Sequence, residues 1–376
     1  MSNTSYGDFA LNNNTGIQNS GFGVSTIQNG SGDYNTGIGA FSLANNSSGK
    51  SDTAVGTNSL LSNTTGSYNT ALGTAAMCFN ISGSSNTAVG SNSLETNTTG
   101  AYNVAVGVNA LFSNTTGPYN TAIGTNALYS NTTGSNTAVG DDALYHNTTG
   151  TDNVAVGVNA LKYNTNGNSN TAIGRGSLTN NITGSNNIAI GEYALNKNTS
   201  NNNVAVGANA LSNNTIGNYN TAIGRGALTK NGLGATGLTE ACTNTAVGDA
   251  ALNANTTGYN NVALGTSCLV YNTTGYNNIA IGASSGAGTT GPSQITTQSS
   301  CIVIGNDTTS VNTNDMILGS SNNNLIIPGI NQTAPTSGST GTAGQIIFNS
   351  SGSTGILYIC DPSGNWWQSS NFTPLL

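Results

Sequence analysis

Charge is nearly missing from this chain. Of 376 residues only 6 are Lys or Arg and 13 are Asp or Glu, a charged fraction of 5%, where soluble domains usually carry roughly 25%. The net charge is −7, and all the basic residues (Lys50, Lys162, Arg175, Lys197, Arg225 and Lys230) fall between positions 50 and 230. So sparse and acidic a surface argues against nucleic-acid binding, which needs Lys and Arg to displace phosphate counterions. Solubility is expected to come from Asn, Ser and Thr instead. A single histidine, His146, leaves no material for a hydrolytic triad, and no enzymatic activity is expected. The paired carboxylates Asp141 and Asp142 are expected to face opposite ways on a strand, which argues against shared acid–base work. With Asp249 they offer the hard oxygens that calcium takes, yet no metal or cofactor is expected overall.

Cysteine is equally uninformative. Cys78, Cys242, Cys268, Cys301 and Cys360 are odd in number, widely spaced and without a CxxC pair. That pattern suggests neither a disulfide framework nor a zinc site, and the cysteines read as small buried apolar residues. No apolar run approaches the ~20 residues that cross a bilayer, so no membrane insertion is expected. The opening Met-Ser-Asn-Thr-Ser-Tyr-Gly has neither the basic nor the apolar region of a signal peptide, and synthesis in a cytoplasm is expected.

What is present is a repeat. A unit close to Tyr-Asn-Thr-Ala-Val-Gly-x-Asn-Ala-Leu-x-x-Asn-Thr-Thr-Gly-x recurs to about position 287, and its glycine returns every 16 or 17 residues from Gly7 to Gly282, with one step of 24 between Gly224 and Gly248. Such a period is too short for a helical-hairpin repeat, and the unit is poor in helix formers. Each unit is therefore read as one turn of a β-solenoid. In the coil from Asn103 to Tyr119, Val104 and Val106 share one face of a short strand and Ala105 takes the other. Gly107 permits a corner, Ala110-Leu111 returns an apolar pair to the interior, and Asn114-Thr115-Thr116-Gly117 makes a second turn in which the glycine takes φ > 0. A coil with so few apolar side chains is too thin to stand alone, so the small Ala face is expected to pack on partner chains. Three chains in closed symmetry are the simplest straight rod with a shared core. At ~4.8 Å per strand the rod would be about 80 Å long.

The recurring Asn-Thr-Ala-Val-Gly and Asn-Thr-Ala-Ile-Gly, followed by Asn-Ala-Leu, resemble the head repeats of trimeric autotransporter adhesins. Related repeats occur in phage tail fibres and in fibre-like proteins of giant viruses. The resemblance covers residues 1 to about 287 and implies an all-β, left-handed parallel β-solenoid (β-roll), homotrimeric, with adhesive or structural roles and no chemistry. The secretion signal, coiled-coil stalk and β-barrel anchor of the bacterial adhesins are not read in this sequence, which moves the expectation to a virion tail or surface fibre. Residues 301–330 are similar to the segment that ends such repeats in viral tail fibres. Many of those continue into a self-cleaving chaperone, which is expected here to be lacking or already removed.

The organisation expected is a solenoid over 1–287, a transition segment over 288–330, a linker over 331–343 and a small C-terminal β module over 344–376. In that module 344–349 and 355–360 read as two strands, followed by a turn that leads to Trp366 and Trp367. Tyr358, Trp366 and Trp367 are candidates for a trimeric cap core or for contact with a capsid or receptor. The long step loops out from the solenoid, and Lys230, Asn231, Leu233, Thr236, Leu238 and Glu240 form the candidate recognition loop. Arg175 and Arg225, both in Ile-Gly-Arg-Gly, read as incidental surface charges rather than an anion stripe. His146 reads as a solvent-facing variant. The Asn-x-Thr sequons at Asn63, Asn97, Asn114, Asn131, Asn147, Asn255 and Asn272 read as turn residues rather than glycan sites.

The function expected is a virion fibre that adheres to a host surface glycan or protein through many weak contacts. The alternative is a purely structural filament or spacer. Ice binding is disfavoured because the first strand position alternates Thr53, Thr70 and Thr87 with Val104 and Val154, which suggests an interior face. Tailspike-like glycan cleavage would need acidic pairs in a groove.

Overall fold

Asparagine, not leucine, is the commonest buried side chain in this fold. The computed structural model describes residues 2–28, 30–287, 296–308, 313–314 and 316–318, and the strands at 346–349, 356–360 and 366–369 as backbone. Nineteen strands of three residues, from β1 (Thr4–Tyr6) to β19 (Met316–Leu318), form one parallel sheet in which each strand pairs with the coils before and after it. The pairing is in register. Between β7 (Val104–Val106) and β8 (Thr121–Ile123), Val104 faces Thr121, Ala105 faces Ala122 and Val106 faces Ile123. β14 (Thr221–Ile223) and β15 (Thr245–Val247) keep that register across the 24-residue step, so the extra residues leave the stack untouched. β18 (Ile302–Ile304) and β19 continue the sheet beyond residue 287.

A second compact unit contains an antiparallel sheet of β20 (Ile346–Asn349), β21 (Ile356–Cys360) and β22 (Trp366–Ser369). The sequence reading anticipated two of these strands. The third is the Trp366-Trp367 segment itself. The linker over 331–343 lies outside the described residues.

The alanine face points the opposite way from that expected. Ala54, Ala71, Ala88, Ala105, Ala122 and their equivalents are fully buried inside their own coil, while the first and third strand positions are half-buried or exposed. Space decides this. Gly37 stands at the alanine position, and a methyl added there would lie 2.9 Å from Ile27 Cγ1. There even a methyl crowds the Ile27 side chain that fills the coil from the other wall, so a larger residue at this strand position cannot turn inward. The Thr/Val column is therefore not interior, contrary to the reading that disfavoured ice binding.

Leucine enters at a conformational cost. Leu111 has φ 54°, and its equivalents in other coils do the same. The left-handed region costs an L-residue roughly 1–2 kcal/mol. Burying a leucine side chain returns about 1.5–3 kcal/mol, and Leu111 is 0% exposed with its N–H bonded to Ala127 O at 2.9 Å. Gly107 has φ 137°, and a Cβ there would lie 2.4 Å from Gly124 O, so the corner admits only glycine. Gly117 was expected at φ > 0 but is not among the left-handed residues, a role taken by Tyr119 at φ 60°. Gly117 is required for closeness instead: a Cβ would lie 2.1 Å from Thr133 O.

Two buried asparagine ladders hold the coils together. In the first, Asn103 Nδ2 donates to Gly117 O at 3.0 Å and to Asn86 Oδ1 at 3.1 Å, while Asn103 Oδ1 accepts the Asn120 N–H at 2.9 Å. In the second, Asn114 Nδ2 donates to Gly117 O at 2.9 Å and to Asn97 Oδ1 at 3.2 Å. Both columns are fully buried. The amides credited with solubility thus belong largely to the interior, and exposed Thr, Ser and the remaining Asn cover the surface.

One rung is a carboxyl group. Asp52 stands in the first ladder between Asn35 and Asn69, fully buried. Its Oδ1 accepts Asn69 N–H at 2.9 Å and Asn69 Nδ2 at 3.1 Å, and its Oδ2 accepts Asn63 Nδ2 at 3.2 Å. As a carboxylate it cannot donate to the next coil's glycine carbonyl, as Asn69 does to Gly83 O at 3.0 Å. As an acid it can. Burial pushes its pKa up to about 7, against the pull of the Asn69 and Asn63 hydrogen bonds. With the folded value above the unfolded one, the contribution is complete below about pH 4 and is lost as pH rises through 7. Asp52→Asn is expected to stabilise the chain at pH 8 by up to about 4 kcal/mol, at ~1.4 kcal/mol per pKa unit, and by much less at pH 5. Urea unfolding of both proteins at the two pH values checks this, and an equal shift at both would refute it.

Candidate functional surfaces

The seven-residue insertion forms a structured loop rather than a slack one. Glu240 accepts the N–H groups of Thr236 at 2.8 Å and Gly237 at 3.1 Å, and these two bonds hold its carboxyl below the usual carboxylate range. Leu238 is 91% exposed at the tip and Leu233 53%, so the loop presents apolar side chains on a pinned backbone. Lys230 and Thr236 are exposed as well. Asn231 does not belong with them. It is fully buried in the second ladder, donating to Asn214 Oδ1 and to Ala241 O, each at 2.8 Å. Its place in the motif, three residues after Leu228 like Asn114 after Leu111, was the available signal.

The backbone of Tyr358, Trp366 and Trp367 lies in β21 and β22, with Cys360 opposite Trp366 and Ile359 opposite Trp367. The side chains on which their candidacy rests lie outside the described residues.

Four of the six cations are paired with carboxylates of neighbouring coils. Arg175 pairs with Glu192 and lies 5.1 Å from the Tyr193 ring, and Arg225 Nη2 meets Asp249 Oδ2 at 2.9 Å. Asp142 accepts Lys162 Nζ at 2.8 Å and Asn126 Nδ2 at 3.1 Å. Burial raises the Asp142 carboxyl, but the bonds from Lys162 and Asn126 outweigh it and hold it below its ordinary value. Asp141 and Asp142 lie in the turn after β9 (Thr137–Val139), not on a strand as expected. Among the described residues no group of three or more His, Cys, Asp or Glu could hold a metal. Cys78, Cys242 and Cys268 form no disulfide among the described residues, and burial pushes Cys268 up to about 12, far from a reactive thiolate.

The sequons cannot serve the folded protein. Asn63, Asn97, Asn114, Asn131, Asn147, Asn255 and Asn272 are all rungs of the second ladder with 0% exposure.

The sequence reading passed over an aromatic cluster. At the two positions after the buried leucine, Phe112, Tyr129 and Tyr145 stack through successive coils with ring centroids 5.0 Å apart and planes within 4°. Beside them His146 meets Tyr145 edge-on at 4.6 Å and stacks on Tyr163 at 5.3 Å. Lys162 Nζ lies 6.0 Å from the Tyr145 ring and 5.8 Å from the Tyr163 ring. Read singly, each aromatic is one more substituent at a variable position. Only a comparison of the same position across consecutive coils brings them together.

Among the described residues no helix is long and apolar enough to cross a membrane. Comparisons with protein-family models, with curated proteins and with solved structures each return no match.

Glu240→Ala is expected to free the insertion alone. Amide exchange at Thr236 and Gly237 should rise at least about tenfold while the ladder amides keep their protection. Hydrogen-exchange mass spectrometry checks this, and unchanged exchange at both residues would show that the carboxylate does not pin the loop.

Proposed function

We propose that this chain is a structural fibre protein: a left-handed solenoid rod that associates laterally in threes and acts as a virion tail or surface fibre in host adhesion. The observation that carries the reading is an unbroken apolar column on the outer face of the sheet. The third residue of every strand from Phe22 to Leu318 is Val, Ile, Leu or Phe, and many are well exposed, among them Ile38 at 41%, Leu72 at 46%, Ile123 at 41% and Ile223 at 41%. Monomeric soluble proteins rarely expose a contiguous apolar patch beyond a few hundred Å². A column in register along the whole sheet is far larger, and another copy of the same column is its natural complement.

The shared core would therefore form from Val, Ile and Leu on the outer face, with alanine retained inside each coil. A count of three is what the resemblance to adhesin head repeats implies, and it closes around a straight axis. No catalytic role is proposed. Adhesion would work through copy number, each rod repeating weak contacts that gain from multivalency, with the insertion loop and the C-terminal module as candidate contact points.

Light-scattering mass and negative-stain imaging of the purified chain test this. Discrete rods of three-chain mass are expected, and Ile173→Asp together with Ile223→Asp should lower the mass toward one chain while the β-rich circular dichroism spectrum persists. A wild-type chain that stays monomeric at high concentration would overturn lateral association. Indefinite filaments would favour a spacer or filament over an adhesive fibre.

A further inference from the structure

The aromatic cluster ends in an open groove that the fibre reading does not use. We propose that this groove binds a short neutral oligosaccharide lying along the solenoid axis. One wall is the column Ser130, His146, Tyr163 and Asn180, and the other is Thr148, Thr165 and Ile182. The groove crosses four coils, about 14 Å at strand spacing. Its volume of about 460 Å³ falls within the ~300–1,000 Å³ of small-molecule sites.

The ring chemistry sets the ligand class. Tyr163 stacks on His146 with one face, and the next coil places Asn180 where a further ring would extend the stack. The second face of Tyr163 has no ring partner among the described residues, and the residue is 42% exposed. A planar aromatic face suits the C–H face of a pyranose. Across the groove the threonine hydroxyls are fixed: Thr148 Oγ1 donates to Thr165 O at 3.0 Å and Thr165 Oγ1 to Ile182 O at 3.1 Å. Their protons are committed, so both oxygens remain as acceptors for ligand hydroxyls. Asn180 Nδ2 donates to Asn196 O at 3.2 Å and to Asn196 Oδ1 at 3.4 Å, and its own side-chain oxygen is another acceptor. A sugar's rim of hydroxyls matches such a wall, whereas a purely apolar ligand would bury these oxygens unpaired at a cost.

The electrostatics select a neutral sugar. No Lys or Arg lines the groove: Lys162 beside it is held by Asp142 at 2.8 Å, and the exposed Lys197 lies one coil beyond Asn180, outside the lining. No strand residue lines the groove, so lateral association through the apolar column draws on different side chains. The inference deepens the adhesive reading by naming a ligand class, and it depends on that reading for its biological role only.

Ligand-observed saturation-transfer NMR on the full chain tests the groove, using cellotriose, maltotriose and chitotriose as neutral probes and sialyllactose as the charged one. At least one neutral probe is expected to bind in the millimolar range or tighter. Tyr163→Ala should weaken it at least about tenfold, roughly 1.4 kcal/mol. His146→Ser, which installs the residue found at 113 and 130, should weaken it by removing the support behind Tyr163. Tyr119→Ala, an exposed ring outside the groove, should change nothing. Absence of transfer from all neutral probes, preference for sialyllactose, or binding unaffected by Tyr163→Ala would each overturn the proposal. Three-chain rods that bind no sugar would sink the groove and leave the fibre standing. A monomer that binds would do the reverse.

Discussion

The buried asparagine ladder is the interaction on which the rest of this structure depends. An asparagine side chain both donates and accepts, so one residue per coil can bond its counterpart above, its counterpart below and a turn carbonyl at once, as Asn103 does. No apolar side chain can do that, and a buried backbone carbonyl such as Gly117 O would otherwise go unpaired at a cost of about 1–3 kcal/mol. The ladders also explain the glycines. An amide can reach the next turn only if backbones approach so closely that a Cβ at Gly117 would lie 2.1 Å from a carbonyl oxygen. Asparagine, glycine and left-handed leucine are thus one solution to one problem, the closure of a coil too narrow for a conventional core.

Much of this was legible in the sequence. The spacing of the glycines gave the coil length, and the triplet before each glycine located the strands at Val104–Val106 and its equivalents. What periodicity could not decide was which face turns inward. Alternation says that Val104 and Val106 share a side; the choice between that side and Ala105 depends on the space left by Leu111 and its equivalents, a tertiary quantity. The asparagines were misread for a related reason. Composition treats an amide as a solvating group, yet an amide repeated at a fixed interval can satisfy itself and stay dry. Asn231 was misplaced in the recognition loop because the insertion drew attention to the residues nearest it, although its spacing from Leu228 marked it as a rung.

The functional surfaces arise where the repeat is allowed to vary. Interior positions are fixed by the ladders and by alanine-sized space, so sequence differences collect at the two positions after leucine, at the insertion and at the charged sites. The ion pairs there, Lys50 with Asp33, Lys162 with Asp142, Arg175 with Glu192 and Arg225 with Asp249, each join one coil to another. The exposed pairs among them contribute little stability, and Lys162–Asp142 is part-buried. Together the pairs engage four of the six cations, leaving Lys197 and Lys230 without an ion pair among the described residues, and the apolar column and the aromatic groove stand out against this sparse charge.

In-register stacking also creates a hazard of misthreading. A strand displaced by one full period would meet partners almost identical to its own, Ala against Ala and Asn against Asn, so the folding chain could close out of frame with little energetic warning. The long coil serves as an index mark against that error. A one-period slip across the 24-residue step would have to fit a coil of another length, because β14 and β15 pair in register only with the seven extra residues outside the stack. That one break in the period distinguishes the native alignment from its one-period neighbours.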